Sequence, residues 1–145
     1  MIGTSPWLPW ALLSACFAAL TAILAKVGVS EINSNFATFI RTIVIVLFVG
    51  SLLLVSGGAQ PISQVPRRAL LFLVLSGLAT GASWLCYFRA LSLGQAAEVV
   101  PVEKISVVLA AVLGVLFLSE QLTPRAWVGI LLITSGVILV AYKPS

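Results

Sequence analysis

Histidine and aspartate are absent from this 145-residue sequence, and its four acidic residues are all glutamates. Without histidine, the commonest general base and metal ligand is missing. Charge is scarce altogether. Asp, Glu, Lys and Arg make up 8% of the chain, where a soluble domain carries about 25%. So little charge cannot coat a water-facing globule, and lipid must be the solvent. Cysteine is nearly absent too. Cys16 and Cys86 lie in apolar stretches, form no metal-ligand spacing and read as small buried apolar side chains. There is no Gly-x-Ser-x-Gly motif and no pair spaced as nucleophile and base. No enzyme is expected, and neither a metal nor a cofactor.

What the chain has in abundance is apolar length. Hydrophobic residues make up 61% of it, and the mean hydropathy is +1.19. A helix needs ~20 residues to cross the hydrocarbon core. Five stretches reach or approach that length, at about 7–29, 36–55, 69–91, 97–118 and 126–142. Open sheet edges cannot be satisfied in lipid and closed barrels alternate polar with apolar residues, so helix is the choice. The expected fold is an all-α integral membrane protein, a single five-transmembrane-helix bundle over residues 1–145. The first run is too long for a leader's apolar region and has no Lys or Arg in the ten residues that open the chain, so it is expected to stay as the first span.

The connectors carry breakers. Asn33 and Asn35 follow the first span; Gly57, Gly58, Pro61 and Pro66 follow the second; Gly94 and Gln95 follow the third. Thr123 and Pro124 read as an N-cap with proline at the first helical position. Trp7, Trp10 and Trp127 fall near span ends, where interface aromatics belong. Small residues sit where helices would touch: Gly77 and Gly81 on the third span, Gly114 on the fourth, Gly129 and Gly136 on the fifth. Packing within the bundle is the first reading of these glycines, and a dimer face the second.

A net charge of +4 would suggest nucleic acid if it formed a stripe on a soluble face. Here the basic residues lie at or inside span ends, so the partners expected are lipid and a small-molecule substrate, with no nucleic acid. Six charges fall within the predicted spans: Lys26, Arg41, Arg89, Glu98, Glu103 and Lys104. If the spans alternate across the membrane, all six lie toward one side. Lys26, Arg89 and Glu98 lie within ~5 Å of a span end and can snorkel to water. Arg41, Glu103 and Lys104 lie ~8–10 Å in, where charge is costly. A polar vestibule is expected there, with Arg41 and Glu103 as the ion pair. The plainer alternative is that these charges only lock helices together, since neighbouring Glu103 and Lys104 point ~100° apart on a helix. Pro101 weakens that objection, because it frees the carbonyl of Ala97 and can kink the helix. Glu103, and after it Glu98, is the carboxylate placed to exchange a proton with substrate. On the third span Trp84 and Tyr87 follow Gly77 and Gly81 along one face, which suits a pocket for an organic or cationic ligand or ordinary packing.

Several of these residues fall into a familiar order. Tyr87-Phe88-Arg89-Ala90-Leu91, Pro101, Glu103-Lys104, Leu118-Ser119-Glu120 and the pair Gly129 and Gly136 resemble the EamA family of the drug/metabolite transporter superfamily. Ala25-Lys26-Val27-Gly28 and the spacing of Asn35 and Arg41 fit that family's first two helices, so the likeness covers essentially the whole chain. Two departures stand out: relatives commonly carry Asp before the lysine where this chain has Glu103, and glycine where it has Ser119. The resemblance implies transport, by export, of small metabolites or toxic organic compounds across a prokaryotic inner membrane. It also implies assembly. Typical relatives have ten helices in two inverted halves, and this chain is one half, so a homodimer, with antiparallel pairing as one arrangement, or a heterodimer with a homologous half is expected. Arg67, Arg68 and Arg125 on one side nearly balance Lys26, Arg89 and Lys143 on the other, which suits insertion both ways. A non-transporting accessory subunit is the rival reading. A channel fits less well, because the charges gather on one side rather than in rings along a pore.

Overall fold

The computed structural model describes residues 6–142, and its regular structure is all helical. Lys143, counted above among the orientation charges, lies outside the described residues. Five helical stretches are long and apolar enough to cross a membrane. The chain divides into two compact units, Met1–Leu93 and Gly94–Ser145.

The first unit holds α1 (Leu8–Val29), α2 (Ser34–Val55) and α3 (Arg67–Leu93). Pro9 sits in the first turn of α1, where a missing N–H costs nothing. Asn33 caps α2 by accepting a 2.9 Å hydrogen bond from the Asn35 N–H. At the far end of α2 the chain turns at Gly57, whose φ of 64° suits a residue without a Cβ. A 3₁₀ turn, Ile62–Gln64, then leads to α3. That helix starts two residues before the expected span. Arg67 and Arg68 belong to its first turn, and the Arg68 guanidinium lies 5.9 Å from the Phe72 ring centroid.

Hydroxyls inside these helices bond back to their own backbone. Thr38 donates to Ser34 O at 2.9 Å and Thr42 to Thr38 O at 2.8 Å, so neither needs water. The core is small: Ala22 and Val29 of α1, Ser34, Ala37 and Thr38 of α2, Phe88 and Leu91 of α3. Cys16 and Cys86 are not in it. Both are exposed on the outside of their helices, which corrects the expectation of burial.

The second unit holds α4 (Ala96–Glu103), α5 (Ile105–Leu118) and α6 (Pro124–Ala141), with α4 and α5 both packed on α6. As the sequence predicts, Thr123 caps α6, accepting from the Ala126 N–H at 3.3 Å, with Pro124 at the first helical position. The fourth span is interrupted. Pro101 offers no N–H to the carbonyl of Ala97, and just beyond it the ladder tightens. Lys104 N–H bonds to Pro101 O and Val107 N–H to Lys104 O, both i→i+3 contacts of 3.0 Å. The span therefore reads as two helices joined at Lys104.

The end of α5 carries a second irregularity. Ser119 is left-handed at φ 55°, and the Glu120 N–H reaches back to Gly114 O at 3.2 Å. The Glu120 carboxylate then folds over Gly114, lying 2.7 Å from where a Cβ would stand. Of the glycines read as packing positions, Gly114 is the buried one in tight contact. A Cβ at Gly77, Gly81, Gly129 or Gly136 would meet open space.

Candidate functional site

A cavity of about 350 Å³ lies in the first unit, between α1, α2 and one ring of α3. Helical periodicity builds it. On α1 the lining residues Thr21, Leu24, Ala25 and Gly28 recur at i, i+3, i+4 and i+7, which is one face. On α2, Ala37, Ile40 and Arg41 recur at i, i+3 and i+4. Phe88 closes the wall from α3. The small side chains of Ala25, Gly28 and Ala37 leave the space that larger ones would fill. Apart from Thr21 and Arg41, the lining is apolar.

Arg41 is the cavity's charge. It lies seven residues into α2, or about 10 Å along the axis from the helix start. Its guanidinium carbon is 4.2 Å from the centroid of the Trp84 ring and 5.4 Å from that of Phe88. Trp84 and Phe88 are one turn apart on α3, so both present to the same arginine. The aromatic face that suited a cationic ligand is thus already occupied by a cation of the chain itself. Tyr87 is half-buried beside Phe88, with ring centroids 6.3 Å apart in an edge arrangement.

Lys26 plays a different part. One residue past Ala25 it turns away from the cavity face, and its Nζ donates to Leu91 O at 2.6 Å. That carbonyl belongs to the last turn of α3, where the helix runs out of N–H partners and the dipole favours a positive charge. Leu91 itself is fully buried. Lys26 therefore anchors α1 to the end of α3.

The remaining candidates belong to the second unit. Glu98 stands in the first turn of α4, where a negative charge suits the helix dipole. Glu103 pairs with Lys104 across 2.8 Å, and both side chains are exposed. Sequence reasoning assigned Arg41 to Glu103. Within the first unit Arg41 stacks on Trp84, and within the second Glu103 pairs with Lys104. Neighbours that stand ~100° apart on a helix meet here through their long side chains. The α1 face from Thr21 to Gly28 was missed as a cavity wall. Its regular run of small residues at helical spacing is the signal that could have found it.

Apolar helices of spanning length define a polytopic helical membrane protein. The chain belongs to the EamA-like transporter family, whose model matches residues 5–142. It is 56% identical over 135 residues to a Sinorhizobium sp. protein described as an "uncharacterized transporter in the cobO 3′ region", covering 93% of this chain and 96% of that one. It is 31% identical over 130 residues to an uncharacterized protein of Methanocaldococcus jannaschii, covering 90% of this chain and 92% of that one. No solved structure matches the chain.

Proposed function

We propose that this EamA-family transporter moves small organic metabolites out across a prokaryotic inner membrane, as a dimer of five-helix chains working by alternating access. The observation that carries the reading is the cavity holding Arg41 about 10 Å inside a membrane span, because a charge at such depth is costly and its retention points to a pathway. Two further features support a partner chain. The Glu103–Lys104 pair is exposed on the chain's own surface at the break in the fourth span. Broken helices of this kind adjoin binding sites in transporters built from paired halves. The Sinorhizobium relative is matched over 96% of its length, so that protein is itself of five-helix size.

Glu103 is the carboxylate we assign to proton exchange, with Glu98 second, if transport is coupled. The near balance of Arg67, Arg68 and Arg125 against Lys26, Arg89 and Lys143 favours antiparallel pairing.

The test combines reporters at both termini in native membranes, crosslinking, and efflux of a metabolite panel from proteoliposomes with and without a pH gradient. The expected result is both orientations, antiparallel crosslinks and protein-dependent efflux. A single orientation rules out the antiparallel homodimer. Absence of any efflux, together with a stable partner complex, would support an accessory subunit instead.

A further inference from the structure

We infer that the cavity of the first unit receives an organic anion: a small molecule with one carboxylate on an apolar body, its charge met by Arg41. This rests on the transporter reading above and names the substrate class of that same site.

Arg41 carries five N–H donors in the plane of its guanidinium. Its ring contacts, 4.2 Å to Trp84 and 5.4 Å to Phe88, hold the group in place without using those donors. Among the described residues the guanidinium makes no hydrogen bond and no ion pair. Clamped by two rings and facing a cavity, it lacks only an acceptor, and a carboxylate offers two oxygens at the spacing of its fork.

The rest of the lining sets the remainder of the ligand. Leu24, Ile40 and Phe88 call for an apolar body, and about 350 Å³ falls at the small end of ligand pockets, roughly 300–1,000 Å³. Charge bookkeeping narrows the head group. A cationic ligand meets repulsion from Arg41 and finds the Trp84 face taken. A dianionic phosphate would leave a net negative charge among apolar walls. A zwitterionic amino acid needs an acceptor for its ammonium. Among the described residues the lining holds no carboxylate, and Thr21 is its one other polar side chain. A plain monocarboxylate is matched by one arginine.

A lipid phosphodiester is also a monoanion, so the test must separate a dissolved ligand from a headgroup. The purified full-length chain is placed in phosphatidylcholine nanodiscs and titrated calorimetrically with 3-phenylpropanoate, 3-phenylpropanamide, 2-phenylethylammonium and phenylalanine. The carboxylate is expected to saturate, with the three other probes roughly tenfold weaker or more. Arg41→Gln should weaken the carboxylate by a similar factor, and Arg41→Lys by less. The comparison of probes on the unaltered chain stands even if a variant misfolds.

Equal binding of carboxylate and amide, no binding of the carboxylate, or binding indifferent to Arg41→Gln would each overturn the inference. Loss of carboxylate binding in phosphatidylglycerol nanodiscs at high salt would name the headgroup as occupant and overturn it too. Proteoliposomes tell the two readings apart. Efflux equally fast for carboxylate and ammonium probes sinks this inference and leaves the transporter intact. Arg41-dependent binding with no efflux of any probe does the reverse.

Discussion

Lys26 and Ser119 are the residues whose substitution separates structure from transport. Lys26 donates a charged hydrogen bond to the last turn of α3, a kind of bond worth about 1.5–3 kcal/mol when lost. Lys26→Met keeps the apolar stem and removes the donor. It should lower stability by that amount in micelle unfolding measurements, while 3-phenylpropanoate still binds the folded fraction. Binding lost together with the anchor would place Lys26 in the pathway after all. Ser119 is held at φ 55°, where a side chain crowds the backbone and glycine does not. Ser119→Gly should raise stability by roughly 0.5–1 kcal/mol in the same assay, and an unchanged or lower value would mean that the serine is compensated elsewhere. The family resemblance carries a hint of this strain, since glycine is what it leads one to expect there. The partner of Arg41 carries no such hint, because it depends on which faces of α2 and α3 meet. The two cysteines were misjudged for a simpler reason: in lipid an apolar setting does not mean an interior one.

Elements were the most readable level. Thr123 with Pro124 announces α6, Asn33 announces α2, and Gly57 marks the turn after it, because capping and left-handed turns depend on residues adjacent in sequence. The break in the fourth span was half legible. Pro101 signals a lost hydrogen bond, but where the slack is taken up depends on the whole ladder, and it is taken up three residues on, at Lys104. Pro101→Ala returns an N–H to the carbonyl of Ala97 and should merge α4 and α5 into one helix over Ala96–Leu118. The Lys104 backbone, now at ψ −4°, would move toward the helical value near −42°, readable as a shift of its carbon resonances. A turn that persists would show that the ion pair, not the proline, holds the break.

At the scale of the whole molecule, little of the chain is buried against itself. No more than 11% of any span's apolar window lies inside, so lipid or another chain must cover the rest. That is why the membrane setting followed from composition, while the site, a matter of a few side chains crossing between helices, did not. The division into two units has an evolutionary side. Every residue lining the cavity, the rings that hold Arg41, and the Lys26 anchor are encoded before Gly94. The junction at Gly94–Gln95 falls between α3 and α4. Recombination there between relatives would trade the last two spans, with their broken helix and ion pair, and pass on the arginine pocket as one inherited block.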